Sequence, residues 1–231
     1  MAELFNKNYK SLYICSFVYT AIQCLTIFNL FRNDMGLRLI LSIISSVVGT
    51  ALLWYILEIV RGNKKPFNTI KYALKNSVWI VILNVIKYIV LMFVISVAGI
   101  ILSMFSMVTK NASIRYFVAG FIFYIATTLV IFSDFVYYDN KQRGPILAVY
   151  DGMTVAQDNM LKIFVAYIPF FIRDVLVYLG YINKLAVAIT FVFYPFYGLY
   201  IATLYNKSKL NKGEINDSLI DVAKTLDKRN N

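Results

Sequence analysis

Six apolar runs, at about 11–31, 37–60, 78–108, 114–138, 160–182 and 185–205, constrain this chain more than any motif in it. A helix needs about 20 apolar residues to cross the hydrocarbon core of a bilayer, and each run approaches or exceeds that length. Lipid offers no partner to a backbone N–H or C=O, so such runs must close their own hydrogen bonds as helices. The sequence therefore predicts an all-α, polytopic membrane protein. About six transmembrane helices would occupy residues 1–205, followed by a polar cytoplasmic tail over 206–231. With 60% apolar residues and a mean hydropathy of +0.67, the chain exceeds the roughly 45–50% apolar content of soluble domains.

The first run follows Lys7 and Lys10, as in a signal peptide. It is longer than a signal core, and no small-x-small cleavage site follows before Arg32, so it reads as a retained span. Cys15 and Cys24 lie nine residues apart within it and point to nearly opposite sides of a helix, implying neither a disulfide nor a metal site. The third run is long enough to be one tilted span or a span plus a turn.

Lys and Arg near span ends are retained on the cytoplasmic side. With six spans, most of the 23 basic residues share one side: Lys7 and Lys10, the loop from Arg61 to Lys75, Lys141 and Arg143, and the tail from Lys207 to Arg229. Both termini are thus expected in the cytoplasm of a multi-pass cell-membrane protein. The net charge of +11 follows from this retention. The basic residues lack the clustered pattern of a nucleic-acid site and would lie against anionic lipid headgroups. Tyr9, Tyr13, Tyr55, Tyr116, Tyr137, Tyr138 and Tyr205 crowd the span ends, as an interfacial aromatic belt does.

The two long cytoplasmic loops share a plan: charges, a proline (Pro66, Pro145), an amphipathic stretch, then the next span. Phe67, Ile70 and Leu74 in one, and Ile146, Val149, Tyr150 and Met153 in the other, recur at helical spacing. Each set predicts an interfacial helix with an apolar face against headgroups. Placing Ala73 and Asn76 over Ala156 and Asn159 suggests two weakly similar halves, each a span, a surface helix and a span. Duplication of this kind is common in transport folds and equally in other small helical membrane proteins. In the tail, Leu219, Val222, Ala223 and Leu226 predict a short helix beginning near Asn216 or Asp217.

The stretch Phe135-Val-Tyr-Tyr-Asp139-Asn140, with Ala148 and Phe164 following, resembles the most regular segment of an uncharacterised bacterial family of six-span integral membrane proteins, a domain of unknown function. The ending Tyr194-Pro195-Phe-Tyr-Gly-Leu-Tyr-Ile-Ala-Thr-Leu-Tyr205 is similar to that family's last span. The sequence departs from the pattern at Gly152, Ala156 and Asp158, where the family has serine, methionine and glycine. The resemblance implies a fold and a membrane location and no reaction.

Reactive chemistry has little to work with. Without histidine the chain lacks the commonest general base and metal ligand, and it carries no Walker loop, nucleophile elbow or dinucleotide fingerprint. No catalytic residue, cofactor or metal site is expected. Isolated glycines at 49, 99, 120, 180 and 198 read as close helix contacts.

The candidate polar site is a set of ionisable groups in or near the runs: Glu58, Lys87, Asp134, Arg173 and Asp174. Each would be costly in lipid and should face the bundle interior or water. Glu58 and Asp134 fall near cytoplasmic span ends, where hydration is the expectation. Lys87 and Arg173 lie deeper, about 13–20 Å in at 1.5 Å per residue. Lys87 either stays buried or snorkels. Arg173 and Asp174, about 100° apart on a helix, are expected to find partners on other helices. Pro169 and Pro195 each free a carbonyl and favour a kink.

Two function classes are compatible with these features. One is a non-enzymatic scaffold or accessory subunit whose surface helices contact lipid headgroups, a protein partner or a second copy of the chain. The other is a small transporter or lipid-handling carrier that uses the midplane Lys87 and Arg173.

Overall fold

Apolar runs with few internal breakers propagate as helices, and the computed structural model is helical throughout. It describes residues 2–27, 35–63, 65–106, 112–140, 142, 144–178 and 183–211, among which there is no strand. In order these are α1 (Ala2–Ile27), α2 (Met35–Val60), α3 (Asn68–Lys75), α4 (Ser77–Ser106), α5 (Ala112–Val130), α6 (Ser133–Asp139), α7 (Gly144–Gln157), α8 (Met160–Tyr178) and α9 (Asn183–Asn211). Over its described residues, 78–106, the third run is a single helix, α4. The last helix continues past residue 205 to Asn211, and the expected tail helix lies outside the described residues.

Among the described residues, four stretches are long and apolar enough to cross a membrane: Ile40–Val60, Ser77–Ile100, Phe117–Asp139 and Leu185–Lys209. The surface suits lipid, with Phe93 and Leu161 71% and 76% exposed while Asp134, Ser133 and Thr128 are buried. A protein in water would reverse this arrangement. Helix α9 is central, packing against α1, α2 and α8, whereas α4 is peripheral, with only 11% of its span buried. Trp54, Phe132, Phe135 and Tyr205 are among the largest fully buried side chains of the core.

Local chemistry sets the helix ends. After α2, Gly62 adopts a φ of 73°, and its N–H bonds the Ile59 carbonyl while that of Asn63 bonds the Glu58 carbonyl. This paired termination needs the left-handed conformation that glycine allows. A turn at Ile131–Phe132 divides the helix of the fourth run into α5 and α6, while Phe117–Asp139 remains one candidate span. The break accommodates α7: a Cβ on Gly152 would lie 2.6 Å from the Ser133 backbone nitrogen. Proline leaves a second mark on α9, because Pro195 has no N–H for the Phe191 carbonyl. Ser16 of α1 donates to that carbonyl instead, at 2.5 Å.

The two short helices differ from each other. On α3 the apolar residues point outward, Phe67 61% and Leu74 59% exposed with Ile70 half-buried, and Thr69 and Ala73 face in. On α7 the expected apolar stripe divides. Ile146 and Tyr150 are exposed, but Val149 is buried and Met153 packs on the core. The reason is that α7 lies in a notch against α4, α5 and α6, and buries Pro145, Ala148, Gly152 and Ala156 there. Their small side chains allow the close approach. Both short helices end alike: the side chains of Asn76 and Asn159 bond the carbonyls of Tyr72 and Val155, and their own carbonyls accept from Ile80 and Ile163.

Candidate functional site

The break before α6 and the length of lysine together build the centre of the bundle. A helical side chain leans toward the N-terminus of its helix, so Lys87 reaches back along α4 toward α6. Its ammonium meets Asp134 Oδ2 at 2.7 Å. Lys87 therefore stays buried, paired with a carboxylate, rather than snorkelling to water. Asp134 is only 2% exposed, which corrects the expectation of a hydrated interfacial residue. Thr50 donates to its other oxygen at 3.3 Å, Asn84 donates to Thr50 at 3.4 Å, and the Trp54 indole donates to the Asp134 carbonyl at 2.7 Å.

A cavity of ≈ 360 Å³ opens beside this pair, lined by residues of α1, α2, α4, α5, α8 and α9 and by Asp134 of α6. Arg173 forms another part of its wall. Its Nε and Nη2 both bond Asp174 Oδ1 at 2.7 Å, and its Nη1 bonds Thr190 at 3.0 Å. The neighbours thus pair directly, because the flexible arginine stem bends across the 100° between them, and each also has the expected partner on another helix. Asp174 also accepts a short hydrogen bond from Tyr124 of α5.

Tyrosines complete the wall. Tyr19 and Tyr194 stack at 4.1 Å between ring centroids, and Tyr167 packs on both Tyr124 and Tyr197. Tyr167 and Tyr197 share a hydrogen bond. The Tyr194 hydroxyl and the Ser46 hydroxyl are buried without a partner. Sequence reasoning missed these tyrosines by attending to the ones at span ends. Their signal was position: Tyr167, Tyr194 and Tyr197 stand inside spans, with the last two on one helix face three residues apart.

Glu58 belongs to a second polar cluster at the expected cytoplasmic ends. It accepts from Asn63 at 2.6 Å and from Tyr138, to which Thr69 of α3 donates in turn. Next to it Arg61 grips Asp139 with two bonds of 2.8 Å, and Tyr205 and Lys209 of α9 reach the same carboxylate at 2.9 Å. Burial opposes the charge on Arg61, but the Asp139 bonds more than offset it and hold the guanidinium above its ordinary range. This cluster ties α2, α6 and α9 together, and the buried Tyr205 and Tyr137 serve it and the core rather than a lipid-facing belt.

The sequence-predicted ionisable residues thus separate into two places. Lys87, Asp134 and Arg173 line the cavity, with Asp174 held against Arg173, while Glu58 joins the helix-end clamp. Among the described residues no three His, Cys, Asp or Glu side chains converge as metal ligands would. No family model matches the chain, and neither does any curated protein or solved structure.

Proposed function

We propose that the protein is a non-enzymatic, multi-pass cell-membrane protein that binds a small, acceptor-rich ligand in the central cavity, as a transporter or lipid-handling carrier does. The observation that carries this reading is the surplus of donors on the cavity wall. The Lys87 ammonium has three N–H groups and meets one carboxylate oxygen, that of Asp134; Tyr194 and Ser46 hold buried hydroxyls with no partner. Asp134 is already engaged by Lys87 and Thr50. A ligand with several acceptor oxygens would satisfy these groups, and unsatisfied buried donors are otherwise unfavourable.

In this reading the chain crosses the membrane six times, both termini are cytoplasmic, and α1 and α8 are spans alongside α9. The two sets α2–α3–α4 and α5/α6–α7–α8, each with a short helix ended by an asparagine, support weakly similar halves. A second reading, a scaffold that meets anionic lipids, a protein partner or a second copy, draws on the outward Phe67, Leu74, Ile146 and Tyr150.

Native mass spectrometry of the gently extracted protein tests the two. The cavity reading expects a stoichiometric small ligand that is retained by the wild type and lost from Arg173→Gln and Tyr194→Phe. A stoichiometric protein partner, with no small ligand and no effect of either substitution, would favour the scaffold.

A further inference from the structure

A second hollow, ≈ 600 Å³, runs between α2 and α4 on the outer surface of the bundle. Its lining is mainly apolar, with Ile43, Val81, Val85 and Ile89 among the walls. Three residues, Ser46, Asn84 and Lys87, line both this groove and the central cavity, so the two hollows are neighbours across these side chains, with Asp134 on the cavity side alone. The groove lies along the least buried of the four candidate spans: α4 exposes Val85 and Ile89 at 52% and 61%.

We propose that the groove is a lateral entry for a membrane lipid with a phosphate-bearing head, whose head occupies the cavity and whose acyl chain lies between α2 and α4. The inference rests on the cavity reading above and names its ligand and route. The chemistry changes from the cavity to the groove across the side chains of Ser46, Asn84 and Lys87. On the cavity side are cationic and hydroxyl donors, with the Ser46 hydroxyl unpartnered between the two. On the groove side are aliphatic walls that a water-soluble solute would not need. Phosphate oxygens match the donors, since charge-assisted bonds to Lys and Arg are the strong ones, and a hydrocarbon chain matches the groove. An amphiphile entering from the bilayer keeps its chain in an apolar medium throughout. Only its head must exchange water and neighbouring headgroups for the cavity wall.

The test uses the full chain in phosphatidylethanolamine/phosphatidylglycerol vesicles doped with a phosphatidylglycerol that carries a diazirine midway along one acyl chain. After photolysis, adducts are mapped by mass spectrometry. The expected result is that adducts concentrate on Ile43, Val81, Val85 and Ile89. Yield at the first, second and fourth sites should fall about tenfold when the groove is filled by Val85→Trp or Ser42→Trp, and similarly when the head site is altered by Arg173→Gln. Either tryptophan variant serves, provided its melting temperature matches the wild type. Adducts spread evenly along the lipid face, including Phe93 and Val97, and unchanged in all variants would overturn the inference. In that case inorganic phosphate binding is decisive for the parent reading. Binding lost in Arg173→Gln but kept in Val85→Trp leaves a cavity for a soluble anion, and no binding in any variant removes the cavity reading as well.

Discussion

Lys87 Nζ lies 2.7 Å from Asp134 Oδ2, and the two side chains are 14% and 2% exposed, so a cation from α4 and an anion from α6 neutralise each other inside the bundle. Neither charge would be tolerable there alone. Replacing one, by Lys87→Met or Asp134→Asn, should destabilise by about 3–5 kcal/mol because its partner is left buried and uncompensated. The double variant should recover much of the loss. Thermal unfolding in one detergent gives the coupling, and purely additive losses would contradict a buried pair.

Ser16 compensates for Pro195. Removing its hydroxyl in Ser16→Ala leaves the Phe191 carbonyl without a donor, an expected loss of about 1–3 kcal/mol. In Pro195→Ala the helix regains an N–H for the same carbonyl, so Ser16→Ala should be nearly harmless in that background. An equal loss in both backgrounds would show that the serine acts through something else.

Gly152 and Gly198 make a paired steric test. A methyl on Gly152 meets Ser133 backbone at 2.6 Å, which cannot yield, while one on Gly198 meets the far end of Ile56 at the same distance. Gly152→Ala should therefore lose about 1–3 kcal/mol or more, and Gly198→Ala distinctly less. The melting temperatures of the two variants decide the order.

Arg61→Lys keeps the charge but cannot reproduce the two parallel bonds to Asp139. The loss of one charge-assisted bond should lower stability by about 1.5–3 kcal/mol. If denaturation of Arg61→Lys coincides with that of the wild type, the clamp among α2, α6 and α9 contributes little.

The orientation can be read by labelling. In a background without Cys15 and Cys24, single cysteines at Phe67 and Ile146 should react with an impermeant maleimide from the cytoplasmic side alone. Reaction of the two sites from opposite sides would exclude the six-span topology.

Much of the fold was legible because lipid imposes a one-dimensional constraint: apolar length and the positions of breakers mark the helices without knowledge of their neighbours. The short helices near Pro66 and Pro145 follow from local sequence, whereas the choice of one helix for α4 was left open by it. Local pattern failed where packing intervened. The turn at Ile131–Phe132, which interrupts the helix of the fourth run without dividing its candidate span, has no proline or glycine to announce it, and comes with the approach of α7. On α7 Ile146 and Tyr150 are outward as expected, but Val149 and Met153 are not, because periodicity finds apolar residues but not which side a neighbouring helix will cover.

The candidate site was legible only as an inventory. The costs of placing Glu58, Lys87, Asp134, Arg173 and Asp174 near lipid singled them out before any contact was known. Which of them meet was a matter of tertiary structure, since Lys87 and Asp134 are 47 residues apart and their approach depends on helix packing and side-chain lean. The same holds for Ser16 with Phe191, and for the tyrosines that close the cavity. The sequence by itself determined that the chain is helical and where its charges would be expensive; the packing of α2, α4, α6, α8 and α9 decided which charges cancel and where an open space remains, because contact is a property of distance in space and not of order along the chain.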